Sequence, residues 1–347
     1  MKQKNSFSGQ IGFVFAAAGS AVGVGNLWRF PYLAAKDGGG LFLLIYLVLV
    51  LTVGFVLLTT DIAIGRKTGK SAIYAYESMQ KKWKFLGVIT FLVPVLIMTY
   101  YAVIGGWILR YIVIYLTSSG KQAVADDCFT AFISSPSSVW YGLIFMLLTA
   151  LIVYNGVEDG IERVSKFIMP VLLIMVIGIA IFSLTLKTTL DDGTVRTGLQ
   201  GLKVYMKPDL TGITVGRFLQ ITLDAMSQLF FSLSVSMGIM ITYGSYVKKD
   251  VDLNKAVSQI EIMDTGVAFL AGVMIIPAVF VFSGLDGMSA GPGLMFVSLP
   301  KVFYSMGTVG RVIGILFFVL AGFAALTSCI SVLESITANC MELFHTE

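Results

Sequence analysis

Eight long apolar segments divide this chain, at about 9–36, 40–65, 85–116, 138–155, 164–186, 215–246, 257–283 and 309–343. Each is long enough to cross a hydrocarbon layer, which takes about 20 mostly apolar residues. Inside hydrocarbon the backbone must satisfy its own hydrogen bonds, so continuous runs of this kind are helices. A barrel would show short alternating strands instead. The expected fold is therefore an all-α polytopic membrane protein. Composition agrees: 56% of the 347 residues are hydrophobic and 13% charged, whereas a soluble domain is about a quarter charged.

The same numbers exclude several functions. The net charge of +4 is spread along the chain without a dense basic stripe, so nucleic acid is not an expected partner. Cys128 sits alone in a polar loop, and Cys329 and Cys340 share one apolar segment; this is neither a disulfide framework nor a metal spacing. The single histidine, His345, stands at the C-terminus, away from any place for a catalytic base. The start, Met1 to Gly25, imitates a secretory leader, but its apolar pattern runs on through Asn26-Leu27-Trp28-Arg29-Phe30-Pro31, which argues against cleavage.

Orientation follows from the short loops. Lys2 and Lys4 precede the first segment; Arg66, Lys67, Lys70, Lys81, Lys82 and Lys84 follow the second; Lys248, Lys249 and Lys255 follow the sixth. All fall on one side, which the positive-inside rule makes cytoplasmic. The expected location is the inner (plasma) membrane with the N-terminus inside. The loop 119–136 reads as an ordinary extracellular loop, and 187–214 as a polar extracellular loop carrying a short surface helix.

Two segments carry breaks. The first holds Gly19-Ser20-Ala21-Val22-Gly23-Val24-Gly25-Asn26 at its middle, and the sixth holds Ser232-Leu233-Ser234-Val235-Ser236-Met237-Gly238. Small residues also let membrane helices pack closely, and the glycine spacing in the first loosely resembles a phosphate loop, though no strand precedes it. Breaks that open segments five apart fit another reading: a midplane binding site in an inverted-repeat transporter.

With those residues in hand, Gly19 to Pro31 resembles the first helix of the neurotransmitter:sodium symporters. The likeness recurs at Asp37-Gly38-Gly39-Gly40, Gly160-Ile161-Glu162-Arg163-Val164-Ser165-Lys166, Phe230-Phe231-Ser232-Leu233-Ser234 and Leu326-Thr327-Ser328, in order along essentially the whole chain. The resemblance implies a LeuT-like inverted-repeat helical bundle with broken first and sixth helices. It places a first repeat at 1–186, the loop at 187–214, and a partial second repeat at 215–347, short of its last two helices.

It also implies a site. One sodium ion is expected on the Ala21 carbonyl, Asn26, Ser232 and Asp264, and a second on the carbonyls of Gly19, Val22 and Ala324 with the hydroxyls of Thr327 and Ser328. Sodium is a hard ion that takes oxygen ligands. Alone, Thr327-Ser328 reads as hydroxyls capping the preceding turn; coincidence with the first break favours the ligand role. Asp264 lies deep in the seventh segment, where an ionisable group is costly and usually functional. The family often has Asn there, with chloride or a Glu nearby; an Asp carries its own charge, so chloride-independent transport is expected.

The implied substrate pocket comprises Ser20, Ala21, Val24, Gly25, Ile97, Tyr101, Phe231, Ser232, Ser234, Met237, Ser328 and Val332. Tyr101 is expected to hold the substrate carboxylate. The absence of a fixed charge among the remaining side chains points to a hydrophobic amino-acid side chain. Arg29 and Phe231 are the expected outer gate, Lys4 and Glu342 the inner one, although Lys4 and Glu342 read equally well as solvated surface charges. Asp61 and Glu334 are expected as structural hydrogen-bonders. The leading function is sodium-coupled symport of a neutral amino acid with no covalent chemistry; a non-transporting binding protein and a channel or proton-coupled carrier are the alternatives.

Overall fold

The computed structural model describes residues 6–118, 120–125, 127–190 and 192–344; Lys2, Lys4 and His345 lie outside them. The first apolar segment is two helices, α1 (Gln10–Ala21) and α2 (Val24–Lys36), inclined to each other by 53°. There follow α3 (Gly40–Thr68), α4 (Ala72–Met79), α5 (Lys84–Ser118), α6 (Cys128–Ile133), α7 (Ser137–Tyr154) and α8 (Val157–Thr185). The polar stretch after α8 begins with an antiparallel hairpin, β1 (Lys187–Thr189) and β2 (Val195–Thr197), with Thr188 opposite Arg196. The short helix expected there is α9 (Gly198–Met206), capped by the Thr197 hydroxyl, which accepts from the Gln200 amide. The chain then forms α10 (Val215–Ser232), α11 (Ile239–Ser245), α12 (Leu253–Ser283), α13 (Leu294–Ser305) and α14 (Thr308–Phe344).

Among the described residues six continuous helices, α3, α5, α7, α8, α12 and α14, are long and apolar enough to cross a membrane, and the α1–α2 pair adds a seventh span when counted as one. The sixth predicted segment is split into α10 and α11 by the non-helical residues 233–238. The fifth starts earlier than its apolar run suggests: a π-helical stretch, Val157–Glu162, leads into it despite Glu158, Asp159 and Glu162. Glu162 is buried there because Ser8 donates to it through both its amide and its hydroxyl, and Lys166 pairs with it one turn on.

Burial separates inner from outer helices. In α12 and α14 67% of the most apolar stretch is buried, against 28% in α3 and α7. Leu44, Leu51, Leu147 and Ile174 on the outer helices are exposed, the surface a lipid environment would cover. Helix α1 is the centre of the bundle and packs against α8, α12 and α14. Two contacts explain why particular residues are glycine. A Cβ on Gly65 of α3 would overlap the Ile241 carbonyl of α11, and one on Gly244 would overlap the Ile62 backbone, so α3 and α11 meet backbone to backbone.

Candidate functional site

The first break is made by two residues. Val22 leaves the helical region with φ −74° and ψ 85°, and Gly23 is extended. Helix α2 starts at Val24, and the Oδ1 of Asn26, its third residue, accepts from the Gly23 amide at 3.2 Å. In the second break Ser234 and Ser236 take φ of 53° and 60°, and Gly238 takes 75°. The left-handed region costs a side-chain-bearing residue about 1–2 kcal/mol. The Ser236 amide donates to Asp61 Oδ2 at 2.7 Å, which ties the unwound segment to α3.

The two breaks face each other. Asn26 Nδ2 donates to Asp264 Oδ1 at 2.8 Å. The Ser232 hydroxyl lies 2.8 and 2.9 Å from the two Asp264 carboxylate oxygens and 3.3 Å from Asn26 Oδ1. Asp264 is fully buried. The Gly23 amide, the Asn26 amide nitrogen and the Ser232 hydroxyl are the donors to this group of three side-chain oxygens. A buried carboxylate in such a nest is stabilised by a cation, and hard oxygen donors suit an alkali or alkaline-earth ion. Among the described residues no group of three His, Cys, Asp or Glu gathers to hold a transition metal.

The second oxygen set is less symmetrical. Ser328 Oγ reaches from α14 to the carbonyls at the first break, 3.0 Å from Ser20 O and 3.5 Å from Gly19 O. Thr327 Oγ1 instead bonds its own helix, at 3.0 Å to Phe323 O and 3.2 Å to Ala324 O, while its Cβ faces Gly19. Ser331, one turn beyond Ser328, joins Ser20 at 2.7 Å.

Between the two sets lies a small cavity of about 30 Å³ lined by Ser20, Ala21, Gly23, Asn26, Ile97, Tyr101, Phe231, Ser232, Ser234, Met237, Ile239, Ser328 and Val332. That volume holds about one water molecule. Val24 and Gly25 are not among its walls: the Val24 amide donates to the Tyr101 hydroxyl at 3.2 Å, and Gly25 backs the Phe231 ring. Gly23 and Ile239 take their place, for a backbone reason. Gly23 is the extended residue immediately before α2 starts at Val24, and Ile239 directly follows the αL residue Gly238.

Arg29 and Glu342, two of the charges expected as gates, make the following contacts among the described residues. Arg29 donates to Ser227 Oγ at 2.8 Å and Gln228 Oε1 at 3.2 Å, both on α10. At the same end Arg217 pairs with the buried Asp37 at 2.8 Å and Lys36 with Asp224 at 3.0 Å, tying α2 to α10. Burial pushes the Asp37 carboxyl above the usual carboxylate range, while Lys36 and Arg217 pull it back. Lys4 lies outside the described residues. Glu342 accepts from the Ser71 amide at 3.0 Å and the Ser71 hydroxyl at 2.7 Å, closing the N-terminus of α4. At the opposite end from Arg29, residues before α1 are pinned by Glu162, by Lys248 donating to Ser8 O at 2.9 Å, and by Phe7 packed on Tyr243 and Tyr246. Glu162 stood in a family motif without a role; its role rests on a partner 154 residues away. Glu334 accepts from Tyr246 at 2.6 Å.

Two helices opened at facing points, an oxygen cluster between them and a small cavity beside it define a polytopic helical carrier for a small molecule and a cation. The sequence profile of the Sodium:neurotransmitter symporter family matches residues 4–135 and 123–347, and the chain belongs to that family. It is 38% identical over 341 residues to an uncharacterised sodium-dependent transporter of Bacillus subtilis, covering 96% of this chain and 72% of the relative. It is 33% identical to an uncharacterised sodium-dependent transporter of Methanocaldococcus jannaschii, covering 99% and 70% respectively. The crystal structure of MhsT in complex with L-phenylalanine superposes with a TM-score of 0.85 at 38% identity, over 99% of this chain and 76% of that one. This chain is thus a sodium-dependent symporter with the LeuT-like fold, a transporter and not an enzyme.

Proposed function

We propose that the protein carries a neutral hydrophobic L-amino acid, aliphatic or aromatic, inward with sodium and without chloride. The observation that carries this reading is the contact of Ser232 and Asn26 with Asp264 directly beside the cavity. The substrate carboxylate sits on the Tyr101 hydroxyl and the amides at the start of α2, where the helix dipole favours an anion. Its ammonium faces the carbonyls that end α1 and α10. Ile97, Met237 and Val332 then surround the side chain, and none of the cavity residues offers it a fixed charge; methionine adapts to large apolar groups. That MhsT was crystallised with L-phenylalanine supports the same class.

The first sodium ion takes the Ala21 carbonyl, Asn26, Ser232 and Asp264. The second takes the Gly19, Val22 and Ala324 carbonyls with Thr327 and Ser328. Asp264 supplies the negative charge that would otherwise come from chloride. Residues 1–186 and 215–347 act as two repeats that rock about this site, with 187–214 outside and the N-terminus in the cytoplasm. Phe231 and Arg29 close the outer path; the inner closure lies near Glu342, with Lys4 its partner in the family pattern. A cavity of 30 Å³ admits an amino acid only when Phe231 and Met237 move aside.

The test is uptake of radiolabelled phenylalanine and leucine into proteoliposomes. The expected result is accumulation driven by an inward sodium gradient, at equal rates in chloride and gluconate. Binding without accumulation would support a non-transporting protein, and sodium-independent accumulation a proton-coupled carrier.

A further inference from the structure

A second cavity, larger than the one between the broken helices, lies elsewhere in the bundle. A groove of 710 Å³ runs between α3 and α12 and is closed at one end by Met206 and Pro208. Its walls are mostly apolar, and Leu44, Leu51 and Ile262 on its lining are 56%, 65% and 71% exposed, on the apolar outer surface of the bundle. One acid lines it. Glu261 is 5% exposed, and its Oε1 is buried without a hydrogen-bond partner. The hydroxyls of Thr265, one turn along α12, and of Tyr46 on α3 line the same groove and are also buried without partners. The Glu261 carboxylate is directed at Gly54, where an added Cβ would stand 3.1 Å from Oε1; α3 makes room for it with a π-helical stretch at Val50–Gly54.

A buried acid with an open coordination position, reached only through hydrocarbon, selects for one chemistry. Its ligand must arrive from the bilayer, so it is mostly apolar, and it must end in a hydrogen-bond donor able to carry positive charge. No Lys or Arg lines the groove to occupy that place. We propose that the groove is a binding site for a lipophilic amine. The apolar body lies along Leu47, Leu51 and Phe269, and the nitrogen sits on Glu261. The amine enters neutral and takes the proton of the Glu261 carboxyl: an O–H bond breaks, an N–H bond forms, and an ammonium–carboxylate pair remains. Thr265 and Tyr46 accept the remaining ammonium hydrogens. The charged groups on this side are Glu261 and, one turn away on α12 facing α2 and α10, Asp264.

Photolabelling of the purified protein in lipid nanodiscs tests this. A diazirine-bearing dodecylamine is expected to label peptides spanning 40–55 and 258–269, and unlabelled dodecylamine to compete. The dodecanol analogue is expected to label about tenfold less. Glu261→Gln keeps the shape and removes the acid; it is expected to reduce amine labelling to the alcohol level. Gly266→Leu keeps the acid and fills the groove, since a Cβ there meets nothing within 4 Å; it is expected to abolish both labels. Each variant is checked by its melting temperature and size-exclusion profile, so a misfolded protein is not scored. Equal labelling by amine and alcohol overturns the proposal, as does undiminished amine labelling in Glu261→Gln. Failure of both probes to label these peptides also overturns it, and means that protein, not lipid, covers the groove.

Discussion

The Ser232 hydroxyl stands 2.8 Å from one carboxylate oxygen of Asp264 and 2.9 Å from the other, although Ser232 ends a broken helix and Asp264 lies inside an unbroken one. This pairing fixes where the oxygen cluster can form, because Asp264 on α12 cannot move without breaking regular hydrogen bonds while Ser232 is free to turn. Asn26 completes the cluster from the first break.

Asp264→Asn is therefore expected to raise the sodium concentration for half-maximal uptake by about 10- to 100-fold, since hydrogen bonds and contacts to a charged group carry about 1.5–3 kcal/mol. The same variant is expected to gain stimulation by chloride, which the native protein is expected not to show. Sodium titrations of uptake in chloride and in gluconate read both effects. An unchanged sodium requirement would remove Asp264 from the cation site.

Tyr101→Phe removes the hydroxyl that accepts from the Val24 amide and lines the cavity. Substrate affinity is expected to fall about five- to tenfold, the worth of roughly one net hydrogen bond. Scintillation-proximity binding at saturating sodium measures it. Sodium affinity in the absence of substrate is expected to stay as it was, which separates a lost carboxylate contact from a general loosening of the bundle.

The two hydroxyls of α14 are expected to respond unequally. Ser328 crosses to Ser20 O, whereas Thr327 bonds within its own helix. Ser328→Ala is expected to weaken sodium dependence about tenfold, the scale of about 1.4 kcal/mol, and Thr327→Val less. Equal losses would show that Thr327 leaves its helix to bind the ion as well as Ser328 does.

Gly65→Ala places a methyl group against the Ile241 carbonyl, a backbone atom that has no rotamer to yield. Overpacking of this kind costs about 1–3 kcal/mol, so the melting temperature in detergent is expected to fall. Gly178→Ala, whose Cβ meets nothing within 4 Å, is expected to leave it unchanged or raise it slightly.

Much of the architecture was legible in the chain. The eight apolar segments, the break at Gly19–Asn26 and the polar run at 232–238 can be read from residue type, because hydrocarbon forbids any other backbone solution. The hairpin ahead of α9 was not legible, since a pair of three-residue strands leaves no periodic trace. Nor was the early start of α8: Glu158, Asp159 and Glu162 read as loop until Ser8 and Lys166 are brought against Glu162. The site divides in the same way. Asn26 and Ser232 carried a local signal in the breaks and motifs around them, whereas Tyr101 entered only through the family resemblance. Gly23 and Ile239 entered the cavity wall only through the backbone angles of their neighbours.

What residue order alone settles here is how often and where the chain crosses hydrocarbon and where it must unwind, because those depend on local hydropathy and on glycine and serine content. Partner choice is another matter. That Arg29 meets Ser227 and Gln228, that Glu342 closes α4 at Ser71, and that Thr327 turns back on its own helix while Ser328 reaches across follow from how the helices pack. Such contacts join residues far apart in the chain, and a short-range, directional bond forms only where packing has already brought donor and acceptor within about 3 Å.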